Sequence, residues 1–463
     1  MRSVIQEIAR ILREPRWQPV LAGAIVAASL FYLSYWAGVP ERGLAAFLVG
    51  IAVLVGLTLA CGAAAWQWSR PAAVAEAARA AAGITTSATR RLMAAFLAIG
   101  TLSLTVGGFW DEVWHRKYGL PFGEDLLWRP HLLIYFGLLL PPALAAGSLV
   151  PLLRPGQGSV RDRLRLDRGL SLLLTLGVFL LFSVPADPVW HLLYGEDISA
   201  WSLPHLVLML SALMLAMLGV YLHLSTSPAR REWTGPLPLR PTALFSLVFF
   251  TGAASIMAQV LIGDFSAGNP MALQRPAWLL PALMMGLALF VGTMANHANR
   301  SYGAASAVGG LTLAVRYLLV LAFEFREIHP AAWLPWLPPL VVLDLWYAFR
   351  IGRRRPPASS TATAGVALAG AAISLWLIPR YYSYLRFTSG ELVASLIMSW
   401  LVAVAAVWLG KLIGDSLAAA GEGTPSSLSP APPRAWIAPA VLFAWLLVVI
   451  YFVVTSTPPT HTF

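Results

Sequence analysis

The chain has 463 residues, 58% hydrophobic and 11% charged, with a formal net charge of +11. A soluble domain carries about 25% charged residues, so this composition excludes an ordinary water-soluble enzyme. The single cysteine, Cys61, excludes a disulfide framework and a cysteine-based metal centre. The basic excess does not mark a nucleic-acid partner, because Lys and Arg fall in loops between apolar runs, which is how membrane topology is encoded.

The apolar runs are long and show no period-2 alternation. They predict an all-α polytopic membrane protein, not a β-barrel. Arg2, Arg10, Arg13 and Arg16 precede the first run, which exceeds a signal-peptide core and is read as a retained helix. About 13 transmembrane helices are predicted, in chain order at 18–38, 43–66, 92–112, 130–153, 169–190, 203–224, 241–262, 277–297, 303–324, 331–349, 363–381, 390–412 and 434–454. Each run has about 20 residues, enough to cross ~30 Å of hydrocarbon at ~1.5 Å per residue.

With the N-terminus placed inside, inner loops hold 23 of the 32 Lys and Arg residues and outer loops hold 8, while Arg316 lies within a span. Such an excess fits a bacterial-type inner membrane with a cytoplasmic N-terminus and an outer C-terminus. Four blocks are expected: N-terminal helices over 1–91, a repeated Asp/His region over 92–225, central helices over 226–350 and C-terminal helices over 351–463. The basic stretch 350–363 and the Gly/Ser/Pro-rich stretch 414–433 read as inner linkers.

An internal repeat is the most informative feature. One copy begins Asp111-Glu-Val-Trp-His115 and ends Trp128-Arg-Pro-His131; the other begins Asp187-Pro-Val-Trp-His191 and ends Trp201-Ser-Leu-Pro-His205. Between these ends, Tyr118 matches Tyr194 and Asp125 matches Asp197. Each copy covers the outer end of one helix, a loop, and the start of the next, giving a parallel helix-hairpin repeat. Asp and His at i and i+4 share a helix face. An antiparallel pair would bring Asp111, His115 and His131 together at its outer end, and Asp187, His191 and His205 likewise. One carboxylate and two imidazoles suit copper, iron(II) or zinc. Asp125 and Asp197 are expected to orient ligating imidazoles from behind, with Tyr118 and Tyr194 nearby. Trp114, Trp128, Trp190 and Trp201 fit an interfacial aromatic belt.

These two Asp/His/His sets, 76 positions apart from Asp111 to Asp187, resemble the C subunit of the copper membrane monooxygenases, the particulate methane, ammonia and short-chain hydrocarbon enzymes. The resemblance covers about residues 105–225. It implies copper at Asp111, His115 and His131 and at Asp187, His191 and His205. It also implies oxidation of a small apolar substrate, partner membrane subunits and an electron donor. A copper transporter or delivery protein, a haem-b or quinol-linked electron carrier, and a lipid-linked sugar transferase are the alternatives.

Other polar residues have simpler readings. Asp264 and Asn269 suit a polar turn or the lining of an outer cavity. Arg316, Glu324 and Asp344 are expected to pair with one another within the membrane. His223, His297 and His329 lack the repeated context and carry no assigned role.

Overall fold

A computed structural model describes residues 18–36, 85, 87–118, 129–153, 159–194, 199–226, 232–265, 274–323, 330–421 and 447–451. The described chain is helical, and its one β-type feature is an isolated bridge between Pro236 and Tyr302. The helices are α1 (Gln18–Trp36), α2 (Ser87–Tyr118), α3 (Arg129–Leu152), α4 (Val160–Leu166), α5 (Arg168–Ser183), α6 (Ala186–Tyr194), α7 (Leu203–Leu224), α8 (Pro241–Leu261), α9 (Leu279–Asn299), α10 (Ala304–Ala322), α11 (Leu337–Gly352), α12 (Ser360–Tyr381) and α13 (Ser389–Ala418).

Among the described residues, nine segments are long and apolar enough to cross a membrane: α2, α3, the α5–α6 unit, α7, α8, α9, α10, α12 and α13. They coincide with nine of the predicted spans. The run at 18–38 forms α1, whose apolar part is the shorter Leu21–Ser34. The run at 331–349 is divided between a 3-10 segment, Pro330–Trp336, and the 16-residue α11. The run at 43–66, and most of that at 434–454, lies outside the described residues. The linker expected to start at 414 starts later, because α13 continues to Ala418 and a 3-10 turn follows to Gly421.

Helix limits follow from local chemistry. Asp167 caps α5 by accepting from the Leu170 N–H at 3.0 Å. Thr388 and Glu391 form a reciprocal capping box on α13. Pro204 and Pro241 stand in the first turns of α7 and α8, where no N–H is needed. The α5–α6 unit is interrupted at Val184–Pro185, since proline has no N–H to give and clashes with the preceding turn.

Leu181, Phe182, Leu318, Leu321, Leu345, Trp376, Val393 and Ile397 lie exposed on the outside of the bundle. An apolar surface of this extent suits lipid hydrocarbon. α9 runs through the centre, with 89% of its apolar window buried. Its closest partner is α13. A Cβ on Gly410 would lie 2.5 Å from the Phe290 carbonyl, and one on Gly414 would lie 2.6 Å from His297 Cβ. Small residues thus let the two backbones touch, the usual source of helix association where water supplies no hydrophobic drive.

Candidate metal-ligating sites

The hairpin of α2 and α3 is drawn together by glycine. A Cβ on Gly137 would lie 2.7 Å from the Gly100 carbonyl, and one on Gly107 would lie 2.9 Å from both the Pro130 carbonyl and Leu133 Cβ. Gly107 is one turn before Asp111 on the same face. The close approach it permits sets Asp111 beside the start of α3. There Asp111 Oδ1 lies 2.9 Å from His131 Nε2.

The second pair is formed by the same atoms. Asp187 Oδ1, on α6, lies 3.3 Å from His205 Nε2, on α7. Both carboxylate oxygens are shielded from solvent, while the side chains as wholes are 17–32% exposed. Ser202 Oγ lies 3.0 Å from His205 Nδ1, so this imidazole is held on its other nitrogen as well.

His115 and His191 follow their aspartates by one helical turn, and Tyr118 and Tyr194 end the same helices. These four side chains, together with Asp125, Asp197 and Trp128, lie outside the described residues. Among the described residues, no group of three or more His, Cys, Asp or Glu side chains is arranged to hold a metal ion. Each described set therefore contributes one carboxylate and one imidazole.

The tryptophans divide. Trp114 and Trp190 are half-buried at the bundle edge, Trp114 against the Trp110 ring at 5.4 Å. Trp201, expected in an interfacial belt, has no exposed surface. Its Nε1 donates to the Val260 carbonyl at 2.9 Å, and the Arg275 guanidinium lies 3.6 Å above its ring. A belt residue faces headgroups; this one is enclosed by protein, because a buried cation needs an aromatic face and a carboxylate.

That carboxylate is Asp264. It forms an ion pair with Arg275 and accepts from Ser199 Oγ and the Ala200 N–H, each at 2.9 Å. Ser199 Oγ in turn accepts from Arg275 Nη2 at 3.0 Å. Burial pushes the Arg275 guanidinium below its usual value while Asp264 pulls it back, and arginine stays charged throughout. Tyr384 donates to the Phe265 carbonyl. Burial raises its phenol, so it remains a donor at neutral pH. Asp264 is thus the centre of a buried network. Arg275, counted in sequence as a loop charge, is its other half. The available signal was an arginine on the side where basic residues are scarce.

Arg316 is buried over the rings of Trp333 (3.8 Å) and Phe109 (5.3 Å). Asp344, its expected partner, instead accepts from Asn296 Nδ2 and the Ser306 N–H, each at 2.7 Å. Ser306 precedes Arg316 by ten residues on α10, about 15 Å along the axis. That separation rules out the pair. Glu324 lies outside the described residues.

At the opposite end of the bundle His297, left without a role in sequence, is almost fully enclosed. Its Nδ1 lies 2.8 Å from Asp415 Oδ1 and its Nε2 lies 2.9 Å from the Tyr347 hydroxyl, while Arg300 donates to the same Asp415 oxygen at 2.6 Å. Trp233 stacks on Tyr347 and meets the His297 ring edge-on. A polar Asn296-His297-Ala-Asn299 run closing an apolar span was the legible sign, since ionisable groups at membrane depth need partners.

No protein-family model matches the sequence, and no curated protein or solved structure is significantly similar to it.

Proposed function

We propose that this is a multi-pass inner-membrane metalloprotein of about 13 helices that binds copper through two Asp/His sets at the outer end of its bundle. In this reading it oxidises a small apolar substrate. The observation that carries the proposal is the same Oδ1-to-Nε2 approach in two places, 2.9 Å at Asp111–His131 and 3.3 Å at Asp187–His205. Two donors on one metal ion, each at about 2.0–2.2 Å, sit close to 3 Å apart, so either pair needs little adjustment to share an ion.

The donor chemistry fits as well. Carboxylate and imidazole together suit copper, with iron(II) and zinc as the competing ions. Asp111 and His131 would hold one ion and Asp187 and His205 the other, with His115 and His191 completing the sets. A bound copper ion would supply redox chemistry with dioxygen. The chain's own part is to fix the donors at the ends of apolar helices, beside which an apolar substrate would bind. Ser202 accepting from His205 Nδ1–H would leave Nε2 with a free lone pair for the metal. Partner subunits and an external electron donor belong to the same reading.

The test is metal content by mass spectrometry on detergent-purified full chain. Wild type is expected to retain about two copper ions, one for each set, and His131→Ala/His205→Ala to retain none. Absence of bound metal in wild type after reconstitution with copper, iron and zinc overturns the proposal.

A further inference from the structure

We infer that Asp264 and Arg275 are positioning residues for the second Asp/His set, making it a preorganised metal site distinct from the first. This rests on the metal-binding reading above. The clasp joins the 3-10 turn after α8 (Gly263–Phe265) to the segment that leads into α9, and it grips the segment that leads into α7. Asp264 holds Ser199 Oγ and the Ala200 N–H at 2.9 Å each, Arg275 holds Ser199 Oγ at 3.0 Å, and the Arg275 guanidinium covers Trp201 at 3.6 Å. Ser199 Oγ also accepts from the Trp201 N–H at 3.1 Å. Three consecutive residues are therefore fixed from outside the hairpin.

The next residue is Ser202, whose Oγ meets His205 Nδ1 at 3.0 Å. The chain of contacts thus runs from a buried ion pair, through backbone and Trp201, to the back of the imidazole whose front faces Asp187. Sequence supports the specialisation. The second copy carries Ser202-Leu203 between its tryptophan and proline, where the first has Arg129 alone. Outer partners of this kind fix ring orientation and tautomer. The Arg275 and Asp264 side chains are 0% and 4% exposed, so the clasp is shielded from salt.

The experiment isolates each set in the full chain. His131→Ala leaves the second set, His205→Ala the first, and copper affinity is read by competition with a chromophoric chelator. In the His131→Ala background, Arg275→Met is expected to weaken copper binding about 10- to 100-fold, while in the His205→Ala background affinity stays within about twofold. Ser199→Ala, which keeps the ion pair and guards against a folding failure, should act in the same direction with smaller effect. Arg275→Lys should recover part of the loss. An unchanged affinity in both backgrounds, or an equal loss in both, overturns the inference while leaving the metal sites standing. No copper binding by wild type overturns the functional reading and the inference with it.

Discussion

The two Asp/His pairs meet through the same atoms but are supported in different ways. Asp111 stands on the unbroken 32-residue α2, and its helix is pressed onto α3 through Gly107 and Gly137. Asp187 stands on a nine-residue helix set off by Pro185. Val113 beside the first aspartate is fully buried, whereas Val189 beside the second is 50% exposed. Backbone contact within the hairpin orders the first pair. In the second, the aspartate sits on a peripheral, proline-broken segment, and the histidine follows a segment held by the Asp264–Arg275 clasp. One sequence pattern can therefore be held either by its own helices or by their neighbours, and the two solutions fail in different ways.

The largest expected effect breaks the second solution. Asp264→Ala strands a buried arginine, which costs about 3–5 kcal/mol. Thermal unfolding should show a clear loss of stability, larger than for any substitution at the first pair. Next is a control outside both pairs. His297→Ala removes contacts to Asp415 and Tyr347; Asp415 keeps Arg300, while the buried Tyr347 hydroxyl is left unsatisfied, at about 1–3 kcal/mol. It should lower the unfolding temperature without changing metal content, because it acts at the opposite end.

Breaking the first solution takes a side chain where none fits. Gly107→Val should push α2 off α3, costing about 1–3 kcal/mol through overpacking. Metal should be lost selectively from the first set, seen as a halved copper content. Ser202→Ala removes one hydrogen bond, worth about 1 kcal/mol, and should weaken the second set severalfold with no change in folding.

Much of the architecture was legible in advance because the membrane imposes a strong local rule: about 20 apolar residues make one crossing. That rule located α2, α3, α7, α8, α9, α10, α12 and α13. It was less informative at α11, where a 3-10 turn rich in proline and tryptophan takes up part of the apolar run. The aspartates and histidines stood out because rare residue types recur at matched spacing. Their packed surroundings did not. Asp264 reaches Ser199 across 65 positions, and His297 reaches Asp415 across 118. Pairing over such separations depends on which helices become neighbours, which no local pattern encodes. The burial of Trp201 has the same origin. A tryptophan near a helix end suits a lipid headgroup or a buried cation equally well, and only the position of Arg275 decides between them.

Electron paramagnetic resonance of the copper(II)-loaded full chain, wild type beside His131→Ala and His205→Ala, decides whether both pairs hold metal. Two mononuclear signals with nitrogen and oxygen coordination are expected, one lost in each variant, the narrower belonging to the set lost in His205→Ala. A copper signal that persists unchanged in both variants would contradict it, placing the metal elsewhere and leaving the two Asp–His pairs as structural contacts.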